Sequence, residues 1–211
     1  MKKLISASLL TALAATSAMT HASDKVVYDY WQFGYIHSAG ERTSDKVGYN
    51  IDISGSWTES VYLHGTYNDQ SADVWAITGE KGDVSAKEYS LAIGWHTPMS
   101  RTSDFFAELG YMRHDGEGII PQSPYGNDED GFFTKLGIRG RFSANWEYSV
   151  FAGYKDFDFS PYVDALSHED DNDTIFGLEG RYYFSPSWSL GVTVSEETTG
   201  LTSNLNIRFN L

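Results

Sequence analysis

The feature that most constrains this chain is an alternation with a period of two residues, repeated along almost its whole length. In "VGYNIDISGSW" the odd positions Val47, Tyr49, Ile51, Ile53 and Trp57 are apolar, while Gly48, Asn50, Asp52, Ser54 and Ser56 are small or polar. Successive side chains of an extended strand point to opposite faces, so this spacing predicts strands with one apolar and one polar face. It speaks against helices, whose apolar stripe recurs every three to four residues. The split returns in Val61, Leu63 and Tyr67 against Tyr62, His64 and Asn68, and in Tyr89, Leu91, Ile93 and Trp95 against Ser90, Ala92, Gly94 and His96. Phe105, Ala107, Leu109 and Tyr111 oppose Phe106, Glu108, Gly110 and Met112, and the same pattern runs through 132–142, 146–154, 176–184, 188–195 and 205–211. A less regular segment near 26–36 brings the expected strands to ten, an even number, with eight as the alternative count; even numbers are the rule in single-chain bacterial outer-membrane barrels.

The intervals between these segments alternate in length. Those at 58–60, 97–103, 143–145 and 185–187 are short; those at 37–46, 69–86, 115–130 and 157–172 are long, with a small one at 196–200. Two of the short ones share a phrase, "FSANW" and "FSPSW", in which an aromatic and a serine are separated by two residues from a tryptophan. Pro186 pre-sets the backbone of a tight turn there. Short turns at one end and long loops at the other are the layout of an up-and-down antiparallel transmembrane β-barrel, with the turns and both termini in the periplasm and the loops outside. The stretch "DVWAIT", 73–78, either extends a strand or forms a hairpin within its loop.

A soluble β-sandwich or a lipocalin-like barrel also alternates, and the character of the two faces decides between them. Here the apolar face is strongly aromatic, with Trp57, Trp95, Trp146 and Trp188 beside the short turns and Tyr67, Tyr111 and Tyr154 toward the long loops. Two aromatic girdles around an aliphatic middle match the two interfaces of a bilayer. The opposite face carries Asp52, His64, Glu108, Lys135, Arg139, Arg141, Glu147, Lys155, Glu179, Arg181 and Arg208 among glycines and serines. Both signs of charge on neighbouring strands predict ion pairs filling a narrow polar interior, the inverse of a lipocalin's apolar cavity.

The first 22 residues, "MKKLISASLLTALAATSAMTHA", have the basic start, short apolar core and small-residue end of a Sec signal peptide. Their removal from the 211 residues leaves a single barrel domain of 189, residues 23–211, and takes the formal charge from −14 to −16 with the loss of Lys2 and Lys3. Such acidity argues against a nucleic-acid partner, since phosphate contacts need Lys and Arg. The absence of cysteine excludes disulfides, thiolate metal sites and cysteine nucleophiles.

On the recurring pattern of "VYLHGTYND", "FFAELGYMRHD", "YSVFAGYKDFD" and the alternating end "LNIRFNL", the chain resembles the small Gram-negative outer-membrane β-barrels of the OmpX-like and OmpA-barrel-like kind. The resemblance implies an outer-membrane location, a monomer in contact with lipid and lipopolysaccharide, and insertion by the barrel-assembly machinery. That machinery reads a terminal aromatic in the family, where this chain has Phe209 two residues before Leu211.

Function is sought in the acidic loops "HDGEG", "GNDEDG" and "SHEDDNDT". Asp128, Asp130, Asp170, Asp171 and Asp173, with Glu129, supply oxygen ligands suited to calcium or to divalent bridging at the lipopolysaccharide surface, although the spacing of an EF-hand loop is missing. No other cofactor is expected. The leading expectation is a structural or surface-interaction protein, not an enzyme. A narrow, low-conductance porin is the alternative, and an omptin-like rim hydrolase using His114 with Asp115, or His168 with Asp170, is a second one, since a carboxylate can orient a histidine as base.

Overall fold

The computed structural model describes residues 26–40, 45–75, 81–118, 127–158, 172–197 and 200–211. Ten strands run in order: β1 (Tyr30–Gly40), β2 (Lys46–Ser56), β3 (Val61–Trp75), β4 (Lys81–Pro98), β5 (Ser103–Gly118), β6 (Asn127–Ser143), β7 (Trp146–Asp158), β8 (Asn172–Tyr183), β9 (Trp188–Glu197) and β10 (Gly200–Asn210). Each pairs antiparallel with the next, and β10 returns to β1 from Tyr30↔Asn210 to Gly40↔Gly200, so the sheet closes with no edge left open. Closure pairs the backbone groups within the wall, which a strand needs if it is to lie in hydrocarbon.

The strands run further toward the long-loop end than alternation alone predicts. Within the expected 69–86 interval, β3 and β4 stay paired from Asp69↔Lys87 to Trp75↔Lys81, so "DVWAIT" continues a strand as far as Trp75. Within the 115–130 interval, β5 and β6 stay paired to Gly116↔Asn127. Polar side chains occupy both faces of this rim, as in Asn68, Asp69 and Gln70, so the apolar–polar contrast fades although the ladder continues.

The opposite end is held by short connections. Trp57 N donates to Val61 O at 2.8 Å, Met99 N to Ser103 O at 2.9 Å and Ser185 N to Trp188 O at 3.3 Å, while Trp188 N donates to Ser185 Oγ at 2.9 Å. Both described chain ends sit here. Asp29 accepts from Ser56 N at 2.5 Å through its carboxylate and from Leu211 N at 3.0 Å through its carbonyl.

The outer surface is apolar and the inner one polar. Leu91, Leu109 and Leu178 each leave more than 60% of their surface open, while Arg181 and Ser189 are fully enclosed. The seven girdle aromatics all lie on the outer surface or its turns, joined by further rings in cross-strand contacts. At the turn end Trp188 packs on Phe209 at 4.9 Å and Trp146 on Tyr182 at 5.0 Å; toward the loops Tyr67 lies between Tyr49 at 5.9 Å and Tyr89 at 5.1 Å.

Candidate functional site

The lumen is where sequence and geometry converge on something other than packing. Its lower half, toward the short turns, is closed by side chains alone. Glu147 on β7, 1% exposed, accepts from Arg139 Nε at 2.7 Å and lies 3.7 Å from Arg141 Nε and 3.4 Å from Arg208 Nη1; Tyr183 Oη donates to its other oxygen at 2.9 Å. Arg181, 0% exposed, contacts Glu179 and donates to Gln32 Oε1 and Asn206 Oδ1, each at 2.7 Å, and to Ser189 Oγ at 3.1 Å. Guanidinium groups also cover ring faces, Arg208 over Tyr30 at 3.9 Å and Arg141 over Tyr183 at 4.1 Å. Beneath them Tyr28, from the segment before β1, stacks on His96 at 4.0 Å, and His96 Nδ1 lies 3.1 Å from Asp104. Buried ions persist when they are paired, and here the pairing is shared: Arg139, Arg141 and Arg208 converge on Glu147, and Arg181 and Arg208 on Glu179.

The upper half is hollow. A vestibule of about 350 Å³ opens at the loop end. It contains Glu88, Glu129, Asp173 and Glu197 against Lys46 and Lys155. Lys155 Nζ stands 3.5 Å from Glu88 and 3.6 Å from Glu197. Below it, and sharing part of its wall, lies a chamber of about 270 Å³ that adds Asp52, Glu108 and Glu179 against Lys135 and Arg208. Lys135 Nζ is 2.7 Å from Glu108. Further down the space shrinks to about 60 Å³ beside Tyr28, Tyr62 and Arg139. Among the described residues carboxylates therefore outnumber cations in the hollow part, and arginines outnumber carboxylates in the seal around Glu147.

The chamber has a second structural device, which alternation does not announce. Four inward aromatic rings each lie directly opposite a glycine: Tyr62↔Gly94, Phe106↔Gly137, Phe133↔Gly110 and Phe151↔Gly177. The rings lie so close to these glycines that an added Cβ would approach a ring carbon to between 2.1 and 2.7 Å. Each glycine thus leaves room for its neighbour's ring to lie along the wall. Phe133 and Phe151 line the chamber, and Lys135 Nζ hangs over the Phe151 ring at 5.4 Å. The pairing of inward aromatics with inward glycines was present in the sequence, but it becomes a signal only once register is known.

All eleven polar residues expected in the interior point inward. The acidic-loop residues are divided. Asp130 lies on the outer face, where Tyr111 Oη donates to it at 2.5 Å, whereas Asp173 faces the vestibule. The two are therefore not brought together. Asp170, Asp171 and the side chain of Asp128 lie outside the described residues, as does His168. Among the described residues no group of three His, Asp or Glu is arranged to hold a metal ion. His114 lines the vestibule, while its neighbour Asp115 accepts from the outward-facing Arg113 at 2.7 Å, so strand alternation separates the expected histidine–carboxylate couple.

An apolar belt outside, a polar ion-paired interior and a closed ten-strand ladder define the fold of an outer-membrane β-barrel. No protein-family model and no curated protein matches the chain. Among solved structures it is similar to the NanC porin, with 7% identity, a TM-score of 0.52 and coverage of 86% of this chain and 100% of that one. It also aligns with the outer membrane protein OprG from Pseudomonas aeruginosa, at 9% identity and TM-score 0.45 over 89% and 99% of the two chains. Neisserial surface protein A aligns at 7% identity and TM-score 0.43 over 86% and 95%. At such identities the likeness is one of fold alone.

Proposed function

We propose that this chain is a monomeric outer-membrane barrel of a Gram-negative bacterium, exported by the Sec route, that works at the cell surface and does not conduct solutes through the membrane. The observation that carries this reading is the seal. Glu147, Arg181 and Tyr183, each at most 1% exposed, fill the lower lumen, while the upper lumen opens toward the loop end. The outward-facing Asp69, Asp130 and Asp156 stand near the outer aromatic girdle, where divalent ions would bridge them to lipopolysaccharide phosphates. Such bridging uses hard oxygen ligands and needs no enclosed metal cage.

The test is electrical. Refolded protein in a planar bilayer is expected to leave the membrane silent at moderate voltage; stable, ion-selective openings of the unmodified chain would overturn the reading. One observation favours a narrow porin instead: the voids of about 350, 270 and 60 Å³ share wall residues and form a tapering series. The seal consists of side chains only, so a rearrangement of arginines would suffice to open it. The same recordings decide between the two.

A further inference from the structure

The hollow half of the lumen has the chemistry of a receptor site. We propose that the vestibule and the chamber beneath it bind a small organic ammonium ion, admitted from the outer side and stopped by the arginine seal. The proposal rests on the reading of the barrel as closed below.

Two independent features point to this ligand class, and a third marks where it sits. The first is the field. Vestibule and chamber each hold more carboxylates than cations, while the floor below them is rich in arginine. A low-dielectric cavity whose walls carry an excess of one sign of charge concentrates counter-ions of the other, so cations are favoured at the mouth over anions.

The second feature is the aromatic lining. Phe133 and Phe151 lie along the chamber wall over Gly110 and Gly177. The face of an aromatic ring attracts an ammonium group within about 6 Å of its centroid. The chamber already displays this contact internally, with Lys135 Nζ 5.7 Å from the Phe106 centroid and 5.4 Å from that of Phe151. Phe133 offers the same kind of surface to a ligand.

The third feature is a polar atom without a protein partner. His64 is 9% exposed and lines the chamber; its Nδ1 stands 3.3 Å from Glu108 Oε1, and its Nε2 has no hydrogen-bond partner. A carboxylate only accepts, so Nδ1 faces Glu108 as a donor, and Nε2 is left as a second polar atom turned to the chamber with no protein partner. A polar group of a ligand held in the chamber satisfies it.

The experiment is calorimetric titration of the refolded chain in a nonionic detergent with 1,5-diaminopentane, with glutarate as the anion of equal carbon number. Saturable binding of the diamine, weakened by raised salt, with no heat of binding for glutarate, is the expected result. Phe133→Leu is expected to weaken the diamine about tenfold, the loss of one desolvated cation–π contact. Glu197→Gln is expected to weaken it severalfold. Each variant is first checked for native gel mobility before heating, so that a misfolded barrel is not read as a lost site.

Glutarate binding as tight as the diamine, no saturation with the diamine, or affinity unchanged in both variants would each overturn the proposal. Failure of the two readings is distinguishable. Stable openings in the bilayer remove the seal and the dead-end character with it, whereas an electrically silent barrel that ignores the diamine removes the site alone.

Discussion

At the scale of single residues, Glu147 has the largest consequences. It is the shared counter-ion of Arg139, Arg141 and Arg208 at distances of 2.7–3.7 Å, in a part of the lumen that water scarcely reaches. Removing one partner of a buried ionic cluster leaves the others uncompensated, at a cost of about 3–5 kcal/mol. Glu147→Gln keeps the shape and removes the charge. It is expected to lower the free energy of unfolding, measured by urea titration, by that amount and to give the silent barrel measurable conductance in planar bilayers. Gly177 provides a different test, because its lack of a side chain is what admits the Phe151 ring, one carbon of which would stand 2.1 Å from an added Cβ. Gly177→Ala should cost about 1–3 kcal/mol by overpacking, measured by the same unfolding assay, and part of the loss should return in the double variant with Phe151→Ala. Gly180, with nothing within 4 Å of an added Cβ, is the control: Gly180→Ala should change stability little.

At the scale of elements, what could be read from the sequence followed the contrast between lipid and lumen. Where one face of a strand meets hydrocarbon and the other a polar interior, alternation is enforced; the membrane-crossing part of every strand from β2 to β10 was legible in this way, as were the turns at 58–60 and 185–187. At the rim both faces are polar, so the pairing of Asp69 with Lys87 and the continuation of β3 to Trp75 left no periodic trace. The same parity carried information on the acidic residues that grouping them by loop obscured. Phe132 and Phe176 point outward in β6 and β8, which sends Asp130 outward and Asp173 inward, so their closeness in composition was never closeness in space. The repeated phrase "FSPSW" is legible in both roles, as turn and as girdle. Ser185 Oγ accepts from Trp188 N at 2.9 Å, and Trp188 then packs on Phe209 and on Trp31 at 6.1 Å, joining the turn to the β1–β10 closure. Trp188→Ala should therefore slow folding into vesicles more than Trp57→Ala does, because Trp57 stands 71% exposed at its turn. Gel mobility before heating, followed over time, measures this.

At the scale of the whole molecule, the barrel's height selects the membrane it suits. Between the outward rings of Phe132 and Phe142 the strand advances about 34 Å at the usual rise of an antiparallel strand. A tilt of roughly 40° projects that to about 26 Å, close to the apolar band of roughly 25 Å typical of such barrels. A bilayer thicker than this must thin around the protein, at a fraction of a kcal/mol for each Å of mismatch. The structure cannot stretch to relieve that cost, because closure fixes every strand against two neighbours and the arginine network braces the lower half from within. Folding from urea should accordingly be faster and more complete in vesicles of 12-carbon phosphatidylcholine than in those of 18-carbon lipid. The readout is the fraction of chain that keeps its compact mobility on an unheated gel and loses it on boiling. Equal yields in the two lipids would mean that the belt between the two girdles does not set the depth of insertion. The aromatic rows at its borders would then be packing features of the barrel wall, with no role as membrane anchors.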